Sequence, residues 1–238
     1  MANPHFQNMI LWAGNTDVTE AKKDQPMFMP YPSDQTFYGY FNDFMTYNSG
    51  DWTVTTTEAG TGSASEAVTS SAGGALLLTN AAGDNDLDFL QLKGEAFRLS
   101  ASKKAYFSAR FKVSDATQSD FVMGLHITDT TRLDVTDGIF FISADGAATL
   151  DFQVEKDNTA TTTSSVATMA NDTFITTSWF IDPNRDALYY SINNGTPLKS
   201  VATNLPNDED LTISFGIQNG EAVAKTMTID YITMMVER

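Results

Sequence analysis

Five residues, Asp151-Phe152-Gln153-Val154-Glu155, carry the pattern in this sequence most suggestive of chemistry. Two carboxylates and an amide alternate with two apolar side chains, so a strand would set Asp151, Gln153 and Glu155 on one face. Paired carboxylates can serve as acid and nucleophile on a glycosidic bond when they stand about 5–10 Å apart and are held to ~0.5 Å. The same alternation also describes the solvent face of an ordinary half-buried strand.

A second acidic group is Asp84, Asp86 and Asp88, with Glu95 further on. Oxygen ligands at alternate positions suit Ca²⁺. However, Phe89 stands where a calcium loop needs glycine for its sharp turn, and Leu87, Leu90 and Leu92 belong to a strand. The reading is an acidic turn that leads into a strand, with Asp84 and Asp86 as candidate ligands for Ca²⁺ at the loop. No other cofactor is expected.

Only two histidines occur, His5 and His126, and there is no Gly-x-Ser-x-Gly elbow to serve a triad. His126 is expected to be hydrogen-bonded or exposed on the sheet surface opposite Leu125. Among the aromatics, Trp52, Tyr106, Tyr38, Tyr40 and Tyr189 are candidates to stack on sugar rings, Trp52 and Tyr106 first; the alternative is that they fill the core.

The elements that must position these groups are strands. Residues 173–195 read as one hairpin: a strand over 174–182, a Pro183-Asn184-Arg185 turn, a strand over 187–192, and a closing Asn193-Asn194-Gly195 turn whose Asn-Gly supplies positive φ. In the first strand Ile175, Thr177, Trp179 and Ile181 share one face. Similar alternation runs through Phe107–Val113, residues 121–127, 150–155, 211–217 and 227–234, and Ile139–Ile142 is a short apolar run between Asp137-Gly138 and Asp145-Gly146. Residues 157–165 read as a polar loop, and 58–74 as a loop or weakly held edge. Roughly a dozen strands with turn signals every 8–12 residues predict an all-β, two-sheet antiparallel sandwich.

The chain of 238 residues holds 14 Lys and Arg against 30 Asp and Glu, a net charge of −16, which repels phosphate backbones and argues against nucleic-acid binding. It has no cysteine, which removes disulfides and thiolate metal sites. No run reaches the roughly 18 apolar residues of a membrane helix. Residues 9–13 are too short for a secretory signal, so an unprocessed protein made in the cytoplasm is expected. Residues 1–36 hold four of the seven prolines and read as an extended N-terminal arm. Its Met27, Phe28, Met29 and Tyr31, together with Phe37, Tyr38 and Tyr40 at the start of the body (37–238), are candidate partner-binding residues. The alternative is an extension folded back on its own domain.

Several segments together resemble the concanavalin A-like lectin/glucanase jelly rolls. These are Phe41-Asn42-Asp43-Phe44 ahead of Gly50-Asp51-Trp52, the strand pair at 105–113 and 120–127, and Trp179-Phe180-Ile181-Asp182 with its hairpin. The last is a strand at 227–236 that closes beside the first. The family's retaining glucanases carry Glu-x-Asp-x-Glu on one strand. Here the first position is Asp151 and the middle one Gln153, which breaks the pattern and implies no enzymatic activity. The whole chain is also similar to structural proteins of tailed-phage virions, particularly those of marine podophages, in being acidic, threonine-rich and cysteine-free behind an N-terminal segment. That resemblance implies a capsid decoration protein on the outer particle surface, a homo-oligomer with capsid or other virion proteins as partners. A lectin-like module that binds a host or matrix glycan is the alternative.

Overall fold

The computed structural model describes residues 9–11, 28–30, 37–129, 131 and 133–238. Two three-residue strands, β1 (Met9–Leu11) and β2 (Phe28–Pro30), pair antiparallel with each other. Fifteen more follow: β3 (Phe37–Asn42), β4 (Trp52–Thr57), β5 (Ser65–Val68), β6 (Leu76–Thr79), β7 (Leu87–Leu92), β8 (Ala105–Val113), β9 (Ser119–His126), β10 (Gly138–Ser143), β11 (Thr149–Lys156), β12 (Thr159–Thr168), β13 (Ile175–Asp182), β14 (Ala187–Ile192), β15 (Leu198–Ser200), β16 (Thr212–Asn219) and β17 (Thr226–Glu237).

These build two antiparallel sheets. One runs β12-β11-β10-β9-β16-β7-β4; the other runs β15-β14-β13-β8-β17-β6-β5, with β3 also paired to β17. The last strand therefore closes beside the first strand of the body, over Glu237↔Phe37 to Ile232↔Asn42. The expected two-sheet sandwich is the fold observed.

Alternation explains the core. Most inward residues of both sheets are aromatic, aliphatic or Met: Trp179 stacks on Phe107 at 5.8 Å, and Phe215 meets Trp52 edge-on at 5.2 Å. Each such ring, fully buried, contributes roughly 2–3 kcal/mol of transfer free energy. The long β17 carries a bulge between Ile229 and Tyr231, and the residue there, Asp230, forms an ion pair with Arg110 of β8.

Three local readings need correction. The first hairpin strand begins at Ile175, one residue later than expected, and positive φ at its closing turn falls on Asn193 (52°) and Asn194 (55°), not on Gly195. Asparagine tolerates the left-handed region because its short amide can bond locally. Residues 157–165 are no loop: Asp157 (φ 49°) and Asn158 (φ 59°) make a tight turn, and the threonine run is edge strand β12. Threonine is β-branched, so its backbone favours strand even where its surface is polar. A single helical turn, which the sequence allows over residues 15–23, lies outside the described residues.

Candidate functional site

The pattern at 151–155 lies on the outward face of the seven-stranded sheet, and the register sets its neighbours. Glu155, Gly138, His126 and Thr212 form one row; Gln153, Phe140, Gly124, Ser214 and Gln91 the next; Asp151, Ile142, Val122, Gly216 and Phe89 a third. Gly124 and Gly216 let the rings beside them lie flat on the sheet. A Cβ at Gly124 would come within 2.5 Å of Phe140, and one at Gly216 within 2.4 Å of the Phe89 ring.

That face is sealed in its middle. Phe89, Val122 and Phe140 pack under Val135, with Leu133 against them, both brought by the connection from β9 to β10. The rings of Phe89 and Phe140 also flank His126, at 5.7 and 6.2 Å. His126 is fully buried, with Nδ1 2.7 Å from the carbonyl of Ile127. Gln91 donates to that carbonyl at 3.1 Å and to Ser214 Oγ at 3.2 Å. The histidine is thus a hydrogen-bonded part of the packing, as the sequence suggests, although covered from solvent.

The two acids of the pattern are held apart by different partners. The Asp151 carboxylate accepts the N–H of Ser165 at 2.6 Å, which pins β12, while Glu155 accepts from Gln153 Nε2 at 2.8 Å. Glu155 is only 6% exposed; burial, then the charges of Asp134 and Asp137, push its carboxyl above the usual range against the pull of the Gln153 bond.

Of the two candidate calcium ligands, Asp86 is engaged by the backbone. Asp86 accepts the backbone N–H groups of Ala59 (2.6 Å), Gly60 (3.0 Å) and Gly83 (2.7 Å), which hold its carboxyl below the ordinary range and occupy both oxygens. Asp84 stands exposed beside it, and no three acids or histidines are grouped to hold a metal among the described residues.

The aromatic candidates are corrected by burial. Trp52 points inward at 3% exposure, and Tyr106, at 0%, lies on the outward face of the other sheet but is covered, so neither ring can stack on a sugar. Phe37 is buried too, at 2%, and not free to meet a partner. Tyr38 stacks on Phe97 and Tyr40 packs edge-on against Trp52, both half-buried on the core. Met27 and Tyr31 lie outside the described residues, and Phe28 and Met29 lie in β2. Among the described residues the exposed large apolar side chains are others, with Phe41 at 64% and Met45 at 70% the most exposed of them. Period two along β3 puts Phe37, Gly39 and Phe41 on the side opposite Tyr38 and Tyr40, a signal that was available in the sequence.

Two hollows lie among the described residues. A cavity of about 40 Å³ lined by Ile181, Leu188 and Leu205 has room for about one water. A surface depression of about 470 Å³ along Asp186, Leu188, Lys199 and Val201 offers no aromatic ring.

No family model and no curated protein matches the sequence. Solved structures do. A protein of unknown function, SO2946, from Shewanella oneidensis MR-1 is 18% identical with a TM-score of 0.60, over 85% of this chain and 87% of that one. The Emp47p carbohydrate recognition domain is 14% identical with a TM-score of 0.59, over 87% and 99%. A Bacteroides ovatus mixed-linkage glucan GH16 protein, in complex with a product, is 14% identical with a TM-score of 0.58, over 82% and 99%. The neighbours thus include both carbohydrate-binding domains and an enzyme, and what they share with this chain is the concanavalin A-like jelly roll.

Proposed function

We propose that this protein is a non-enzymatic structural component of a virion, docked on the outer surface of a capsid as a decoration protein. One observation carries the non-enzymatic part: the outward face bearing Asp151, Gln153 and Glu155 is plugged by Val135 and Leu133 over Phe89, Val122 and Phe140. A sugar chain has no path to Glu155 there, and Asp151 is committed to Ser165. A closed, cysteine-free sandwich of net charge −16 suits an exterior position, away from packaged DNA. Phe41 and Met45 supply the exposed apolar contact that docking needs. The capsid assignment draws on the sequence resemblance to phage structural proteins. A decoration protein on a symmetric lattice would be a symmetric oligomer. The test is mass spectrometry and immunogold labelling of virions purified from a culture whose phage genome encodes the chain. Many copies on the outer surface are expected; absence from the particles rejects the reading.

A second reading, a glycan-binding module, draws on the row of hydrogen-bonding groups left at the margin of the plugged face, where Thr162 donates to Gln153 at 3.4 Å. Glycan-array binding that disappears in Gln153→Ala would favour it over the first.

A further inference from the structure

The outward face of the eight-stranded sheet is closed although it is turned away from the other sheet. Across the register Phe180, Tyr106 and Met235 form one row and Ser178, Ser108 and Thr233 the next, while Trp179, Phe107 and Met234 point into the shared core. Tyr106 and Ser108 are 0% exposed, Phe180 and Ser178 1%, Thr233 3% and Met235 8%. Phe41, the next residue along the second row, marks the margin at 64%. An outer face of an antiparallel sheet is ordinarily polar and wet. This one carries two aromatic rings and a methionine, all buried within a single chain, which calls for a covering layer.

Among the described strands only β1 and β2 lie outside the two sheets. Their sequences, Met-Ile-Leu and Phe-Met-Pro, contain no polar side chain. A lone pair of three-residue strands is not stable in water and needs an apolar support. The described body also begins at the right place: β3 opens with Phe37, which is buried on this same outward side. We infer that the face around Tyr106, Phe180 and Met235 is the seat of the β1–β2 pair of the same chain. The β1–β2 pair is then a third layer on its own sandwich, not a contact for a neighbour.

The chain contains no cysteine, which allows a clean test in the full-length protein. Ser178→Cys gives a thiol in the centre of the covered face. Paired strand residues share a side, so Ile10→Asp with Met29→Asp loads one side of the pair, and Leu11→Asp with Phe28→Asp the other. In one of these backgrounds the thiol should react with a maleimide at least ~10-fold faster, with near-ultraviolet circular dichroism of the body retained. No acceleration in either overturns the inference. Independently, benzoylphenylalanine in place of Phe180 is photolysed in the otherwise unchanged chain. Cross-links to residues 1–36 in monomeric product are expected; cross-links only within 37–238, or to 1–36 only in a dimeric product, overturn it.

Discussion

Asp88 of β7 pairs with Ile217 of β16 and therefore points, like Ile217, into the space between the two sheets. Its carboxyl is fully buried. Burial above all, then the charges of Glu66 and Glu58, pushes its pKa up to about 8. A folded pKa above the unfolded value of 3.8 means that the native state holds the proton longer, so this group lowers stability as pH rises from about 4 to 8.

Asp88→Asn should therefore stabilise the protein at pH 8, by on the order of a few kcal/mol, and make little difference near pH 4. Urea midpoints of both proteins across that range are the measurement. A gain that is independent of pH would show that the carboxyl is not neutral in the fold.

Asp86, two residues earlier, is the opposite case. Three backbone N–H groups hold its charged form, joining the loop after β4 to the turn before β7. Asp86→Asn should cost about 3 kcal/mol, because the amide brings an N–H to a site built for an anion. The depressed pKa makes this contribution full above pH ~4 and lost at more acid pH, so the two proteins should converge there. Millimolar Ca²⁺ should leave the melting temperature of the parent unchanged.

Lys225 is 4% exposed, and its Nζ lies 3.0 Å from Asp115 and 2.5 Å from Glu221. Burial alone would lower its pKa, but the bonds to Glu221 and Asp115 outweigh that and raise it, while Lys225 holds Asp115 below its ordinary range. Lys225→Met should destabilise by about 2 kcal/mol, since it strands Asp115 without its cation. The loss should be constant from pH 6 to 9 and shrink below pH 4, where Asp115 takes up a proton. Chemical denaturation at the two ends of that range checks it.

Much of this architecture is legible from period two alone. Trp179 and Ile181 alternate with Ser178 and Phe180, and that alternation places β13 and β14 nearly residue for residue. What alternation cannot say is which outer faces are themselves covered. Tyr106 and Phe107 point to opposite sides of β8, yet both are fully buried. A two-layer reading makes Tyr106 a surface ring, and its complete burial corrects that. Glu155 illustrates the same limit, because the charges that act on it come from Asp134 and Asp137 on a connection that carries no strand pattern. The threonines of β12 mislead in the reverse direction, since polarity hides a backbone preference for strand.

Phe41 and Met45 bring the argument back to docking. Phe41 stands on β3, where it joins the eight-stranded sheet, and Met45 follows that strand; both are exposed, so charge there should leave folding intact. Phe41→Asp with Met45→Asp is expected to change stability by no more than about 0.5 kcal/mol. If this edge is the contact with the particle, the same double variant should abolish co-sedimentation with capsids that bind the parent, because a charge buried in an interface without a partner costs several kcal/mol. Val223→Asp, also exposed at 52% but in the loop between β16 and β17, serves as the control and should still bind. Loss of attachment in both variants would point to general charge repulsion, and retention in both would place the contact elsewhere on the sandwich.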